Sequence, residues 1–318
     1  MRRFWLLLNT LAIFIMACNL LSRYPGFIPT ITIPSLMLTS PSPIFTTATP
    51  SISITSTSIP LATPPVPTDG GIYQLRYERI IGTYTVQRWT NPTSQIGFDD
   101  VVTINSPGQP QIRVDMASDI NSLTGTDINR DGYPEVIIET YSGGAHCCSS
   151  TLVYSLRTTL ILILQKPESN AGGVFLDLDH DGIYEFDTAD DLFAYLYCPY
   201  AGSPSVRVIM AYDPQEDLYI PASPRFPDLY APVIGEHVTL AEAGRPGELG
   251  EWENTTKCSV LPLVLDYLYT GQKDKAYSEL HRLYLYPDVE DFWKEVYQRV
   301  GESPLYTPLE TDLCGCSN

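Results

Sequence analysis

A chain of 318 residues with 44% hydrophobic and 18% charged residues is long enough to bury a substantial core. Its 37 Asp and Glu against 19 Lys and Arg give a formal charge of −18, which repels phosphate backbones and argues against nucleic acid as a partner. The same field attracts divalent cations, although solubility alone also favours acidity.

Arg2 and Arg3 precede an apolar run from Phe4 to Ala17, broken by Asn9 and Thr10, which reads as an export signal too short to span a bilayer comfortably. Its end, Ile15-Met16-Ala17-Cys18, resembles the lipobox of bacterial lipoproteins, whose cysteine is lipidated and becomes the new N-terminus. That resemblance implies a lipid on Cys18, attachment to a membrane, and a cell-envelope location facing the extracytoplasmic side. Residues 19–70 are dominated by Ser, Thr and Pro with almost no charge, so they read as a semi-extended stalk. Export also places Cys147, Cys148, Cys198, Cys258, Cys314 and Cys316 where disulfides form. The sequence leaves their pairing open, although a bond between the neighbours Cys147 and Cys148 would be strained and separate partners are expected.

Tyr73, Leu75, Tyr77, Ile80, Tyr84 and Val86 predict strands at the start of the ordered region. Asp100 to Val114 predicts a hairpin, with apolar arms Val101–Ile104 and Gln111–Val114 around the turn Asn105-Ser106-Pro107-Gly108. Further strands are predicted over Glu135–Thr140, Thr151–Leu156, Leu160–Leu164 and Val206–Tyr212. Beyond Glu253 the period changes from that of a strand to that of a helix: Leu261, Val264, Leu265 and Leu268 share one face, and Gly271 ends the element. A second helix carries Ala276, Tyr277, Leu280, Leu283 and Tyr284. A third runs from an Asp288 N-cap to Gly301, with Val289, Phe292, Trp293, Val296 and Val300 facing inward. The domain plan is therefore a signal and lipobox over 1–18, a linker over 19–70, a β-rich domain over 71–252 and a helical subdomain with a cysteine-containing tail over 253–318.

One loop pattern occurs twice, fifty residues apart: Asp127, Asn129, Asp131, Gly132, Glu135, then Asp177, Asp179, Asp181, Gly182, Glu185. Alternating oxygen side chains can converge on one point, the glycine allows the sharp turn, and the backbone carbonyls of Tyr133 and Ile183 add an oxygen each. These residues are candidate ligands for two structural calcium ions. The competing reading is a pair of Asp/Gly turns held by side-chain to backbone hydrogen bonds. Cys148 lies 21 positions after Asp127 and Cys198 lies 21 after Asp177, which extends the repeat.

The periodicity resembles the FG-GAP and VCBS families, whose repeats place such loops between strands of integrin-like propeller blades. The resemblance covers roughly 125–212 and departs from the family in having two clear repeats, too few for a full propeller. It implies an α+β protein: a β-rich domain with two integrin-like calcium loops, either partly propeller-like or an open sheet, plus the C-terminal helical subdomain. The combination of loop, Ser142-Gly143-Gly144-Ala145-His146-Cys147-Cys148, Phe193-Ala194-Tyr195 and helical tail is also similar to uncharacterised bacterial proteins, and that likeness implies no activity.

A nucleophile elbow, a zinc-protease helix motif, a P-loop and a dinucleotide turn are all missing from the sequence. His146 beside two thiols reads as a packed or hydrogen-bonded residue rather than a catalytic base, and His237 and His281 stand alone. The functional expectation is a cell-envelope lipoprotein with a calcium-stabilised binding or scaffolding domain, taking a surface protein or polysaccharide as ligand. The alternative is a hydrolase of extracellular polymers using carboxylates outside the two loops.

Overall fold

The computed structural model describes residues 72–94, 98–145, 147–243 and 253–308. Cys18, the 19–70 segment, His146, Cys314 and Cys316 lie outside the described residues. Segments rich in β-branched and aromatic residues, separated by short polar connections, form two antiparallel sheets. The first holds β1 (Gln74–Ile81), β2 (Tyr84–Thr90), β3 (Asp100–Asn105), β4 (Ile112–Ile120), β5 (Glu135–Tyr141), β6 (Ser149–Leu156) and β7 (Leu160–Gln165) in sequential order. The second holds β8 (Gly173–Leu176), β9 (Glu185–Asp190), β10 (Val206–Asp213) and β11 (Leu218–Pro221), again in order. The predicted hairpin is β3–β4, with Val102 opposite Val114 and Ile104 opposite Ile112.

Strands β4–β7 and β8–β11 follow one plan, a four-strand meander with an Asp-rich loop between its first and second strands. The described strands close no propeller, and β7 runs beside β11 where the two sheets meet. Because side chains alternate across a strand, Val136 and Ile138 of β5 enter one core with Val86, Val102 and Ile104, while Ile137 enters another with Val153 and Ile163. All three β5 side chains are fully buried, so this strand is apolar on both faces.

Four helices follow: α1 (Ala231–Glu242), α2 (Glu253–Tyr269), α3 (Lys273–Leu283) and α4 (Val289–Gly301). The sequence pattern anticipates the last three but not α1, whose Pro232, Gly235 and β-branched residues are poor helix formers. Helix α2 was expected to be amphipathic, yet every residue from Val260 to Tyr269 is buried. It is the central helix of its layer, with β10 on one side and α1 and α3 on others, so beyond its exposed first turn it has no solvent face to mark with polar residues. Its end is as expected. Gly271 takes φ +75°, Gly271 N–H reaches the Leu268 carbonyl and Gln272 N–H the Tyr267 carbonyl, which closes a Schellman motif. Asp288 occupies the N-cap position of α4 without capping it. Its carboxylate instead accepts from Lys257 Nζ at 2.9 Å and Tyr284 Oη at 2.8 Å, and the Lys257 ammonium lies over the rings of Tyr197, Tyr284 and Phe292.

Two links fasten the helices to the second sheet. Asp190 at the end of β9 accepts from Tyr269 Oη at 2.6 Å and from Ser303 Oγ, and Cys198 is bonded to Cys258 on α2. The expectation of separate partners for Cys147 and Cys148 is corrected, because these neighbours are bonded to each other. Folding brings Cys258 to Cys198, while both sulfurs of the 147–148 pair pack over Gly144, where a Cβ would lie within 2.8 Å of each. The two 21-residue spacings therefore do not lead to equivalent bonds.

The Cys198–Cys258 bond closes a loop of 60 residues, and its loss should cost about 4 kcal/mol through the entropy returned to the unfolded chain. Denaturant unfolding of Cys198→Ser with Cys258→Ser is the check, and a midpoint equal to the parent's would show that the bond contributes nothing.

Candidate metal centre

Both Asp-rich loops take the same backbone path. The fourth position is left-handed in each, Arg130 at φ +57° and His180 at φ +63°, and so is the sixth, Gly132 at φ +92° and Gly182 at φ +84°. Glycine meets the second requirement without strain. The same internal bonds recur. Tyr133 N–H donates to Asp131 Oδ1 at 2.8 Å and Ile183 N–H to Asp181 Oδ1 at 2.7 Å. Asp131 N–H donates to Asn129 Oδ1 at 3.1 Å and Asp181 N–H to Asp179 Oδ1 at 3.3 Å. The ninth-position glutamates open β5 and β9 and reach back across their loops, Glu135 Oε2 accepting from Ile128 N–H at 2.8 Å and Glu185 Oε2 from Leu178 N–H at 2.9 Å.

In the first loop the carboxylates of Asp127, Asp131 and Glu135 each place an oxygen within 4.8 Å of the other two. Glu135 has no exposed surface, and its Oε1, like Asp127 Oδ1, is buried without a hydrogen-bond partner. In the second loop the converging set is Asp177, Asp179 and Asp181, and Asp177 Oδ1 is the buried oxygen left unpartnered. Glu185 is buried but is not part of that set. Asn129 is buried beside Asp131 and donates to its Oδ2 at 3.3 Å. The second loop is thus the more open of the two, with Asp179 and Asp181 exposed.

Buried carboxylate oxygens that face each other without donors are costly unless a cation or a proton joins them. Burial pushes the Glu135 carboxyl up to about 8, with the Ile128 N–H and Ser155 opposing and Asp131 and Asp127 adding to the rise. Burial raises Glu185 in the same direction. All the side-chain donors are hard oxygens, a set that fits calcium and gives zinc no nitrogen or sulfur to bind.

The loops are tied to one another and to a neighbouring cation. Tyr184 N–H donates to the Ile128 carbonyl at 2.8 Å, and Arg130 reaches across to the Asp181 carbonyl at 2.5 Å while its guanidinium covers Gly182. Arg157 bridges Asp131 and Asp217 at 2.5 Å each, and Tyr212 Oη donates to Asp217 at 2.6 Å. Hydrogen bonding to Arg157 holds the Asp217 carboxyl below its usual range. A cleft of about 600 Å³ opens between the loops, lined among others by Asp131, Tyr133, Ile183, Tyr212 and Asp217.

The reading of His237 and His281 as solitary is corrected. His237 Nδ1 lies 2.6 Å from Asp266 Oδ2, and His281 Nε2 lies 2.9 Å from Glu290 Oε1. The first pair joins α1 to α2 across 29 residues of sequence, a separation at which no local spacing signals contact.

No family model matches the chain, and no solved structure matches it. A curated protein of Synechocystis, described as a probable thylakoid lumen protein, is 34% identical over 172 residues. Those residues are 53% of this chain and 48% of the relative, so the chain spans about half the length of the curated relative it matches.

A raised carboxyl makes stability depend on pH with a definite sign. The metal-free folded chain keeps a proton on Glu135 up to about pH 8, whereas the unfolded chain releases it near 4.5. Its contribution is therefore complete below the unfolded value and is lost as pH climbs toward the folded one. In chelator, the melting temperature is expected to fall from about pH 5.5 to about pH 8, and Glu135→Gln to flatten the slope. A level or rising curve in that window would contradict an unpaired buried carboxyl.

Proposed function

We propose that each loop holds one structural calcium ion, and that the chain is an FG-GAP or VCBS type repeat lipoprotein, exported and anchored through a lipid on Cys18. The observation that carries the calcium reading is the pair of buried, unpartnered oxygens, Asp127 Oδ1 and Glu135 Oε1, within a three-carboxylate cluster. Asp127, Asn129, Asp131 and Glu135, with the Tyr133 carbonyl, would hold the first ion. Asp177, Asp179 and Asp181, with the Ile183 carbonyl and Glu185, would hold the second. Calcium supplies the positive charge that such clusters lack, so its role is to make the folded loops affordable rather than to take part in a reaction.

The repeat reading is supported by the common plan of β4–β7 and β8–β11, each with its loop at the same place. An extracytoplasmic location is supported by the relative's printed name, which places that protein in a lumen, and by the two disulfides. Among the described residues no helix is long and apolar enough to cross a membrane. The ordered part then serves as a binding or scaffolding module for a surface protein or polysaccharide.

Extracellular calcium sites have dissociation constants of roughly 0.1–1 mM, so calcium at roughly 10 to 100 times that value adds roughly 1.4–2.7 kcal/mol per site. The full chain in detergent is expected to melt higher in calcium than in magnesium or chelator, and Asp127→Asn with Asp177→Asn to abolish the difference. An equal melting temperature in all three would reduce both loops to ordinary turns. Separately, Cys18→Ala is expected to move the protein from the membrane to the soluble fraction of cells, and unchanged fractionation would remove the lipid anchor.

A further inference from the structure

The connection between β5 and β6 lies outside both Asp-rich loops and carries the bonded neighbours Cys147 and Cys148. Cys147 is exposed, whereas Cys148 is buried immediately before β6. Cys148 also takes φ +89°, a left-handed backbone that a residue with a Cβ rarely adopts. It is neither a glycine nor an Asn or Asp whose side chain can hydrogen-bond its own turn, so residue type gives no reason for that conformation. Two glycines make room for it. Both sulfurs lie over Gly144, and Gly143, itself at φ +87°, lies against the Phe98 ring.

The backbone of Cys148 is coupled to the sheet. The β5–β6 ladder ends with Tyr141 opposite Ser149, and one further rung continues it, from Ser142 N–H to the Cys148 carbonyl at 3.0 Å. Tyr141 Oη closes the same end, accepting from Gly144 N–H at 3.2 Å and donating to the Gly144 carbonyl. Rotating Cys148 into the extended region re-aims its carbonyl and breaks the rung to Ser142. The other disulfide is placed differently, with Cys198 buried and Cys258 half-buried on the enclosed helix α2. Of the four bonded cysteines, Cys147 alone is exposed. An attacking thiolate must reach a sulfur along the line of the bond it breaks, so access decides which bond exchanges first.

We propose that Cys147–Cys148 is a reversible thiol–disulfide exchange site for a dithiol reductant, and that opening it lets Cys148 leave its left-handed conformation and releases the last rung between β5 and β6. One thiolate of the reductant bonds to Cys147 Sγ. The bond between Cys147 and Cys148 breaks, its electron pair goes to Cys148 Sγ, and that sulfur takes up a proton. The second thiolate of the reductant then bonds to the reductant's own first sulfur, which leaves Cys147 Sγ to take up a proton in turn. Two electrons and two protons have passed to the pair, and the reductant departs as a disulfide. Reoxidation by a disulfide runs the same steps backward. The exchange needs neither bound calcium nor the lipid anchor.

The test equilibrates the full chain in detergent, without denaturant, against graded ratios of reduced to oxidised dithiothreitol, then alkylates the free thiols and maps them by mass spectrometry. Cys147 and Cys148 are expected to become alkylated at ratios that leave Cys198–Cys258 closed, and to lose their reactivity again when oxidised dithiothreitol is restored. Opening of Cys198–Cys258 first or together with the pair overturns the site. So does finding the pair as free thiols in air-oxidised protein, or either member joined to Cys314 or Cys316. Hydrogen exchange on peptides that include Ser142 is expected to quicken by at least about 10-fold on selective reduction, and equally in Cys147→Ser with Cys148→Ser. Should that variant fail to fold, the selectively reduced parent gives the same reading. Unchanged exchange in the reduced parent overturns the release of the rung.

Discussion

A carboxylate with no exposed surface needs partners for both of its oxygens, and Glu135 finds one for Oε2 alone, the Ile128 N–H. Around this residue the rest of the β region is arranged. It begins β5, the strand buried on both faces, and its backbone pairs with Gly125 and Thr126 to close the first loop. Whatever occupies the space in front of Oε1 therefore sets the energy of the loop and of the strand that grows from it. In the metal-free chain a proton on Glu135 meets the need up to about pH 8, and the proposed cation would replace it.

The second loop repeats this arrangement less tightly. Asp177 offers one buried oxygen, while Asp179 and Asp181 remain at the surface. The backbone bond from Tyr184 to Ile128 and the Arg130 contact to Asp181 mean that ordering one loop restrains the other. Arg157 adds a fixed positive charge at Asp131 and Asp217, which offsets part of the repulsion in the first cluster without reaching the unpartnered oxygens of Asp127 and Glu135. Such a guanidinium stabilises the outer edge of the cluster and leaves the oxygens of its inner face unpartnered.

The helical layer answers to a different constraint. Helix α2 is surrounded, so the one carboxylate in its buried stretch, Asp266, must be paired, and His237 supplies the partner from α1. His237 and Cys258 line one cavity, and the disulfide from Cys258 brings the 198–206 segment to its wall.

Local pattern in the sequence was enough for much of this protein. The apolar arms Val101–Ile104 and Gln111–Val114 around Asn105-Ser106-Pro107-Gly108 marked the β3–β4 hairpin, and Gly271 marked the end of α2, because turns and caps depend on a few adjacent residues. The repeated Asp/Gly loops were legible for the same reason, since their backbone path is set within nine positions. What only the tertiary structure decided depends on residues distant in sequence. Burial of α2 on all sides, the Cys198–Cys258 and Cys147–Cys148 pairings, the use of Asp288 by Lys257 rather than by its own helix, and the meeting of His237 with Asp266 all arise when separate elements pack. No spacing along the chain records those contacts, because burial and pairing are properties of neighbours in space.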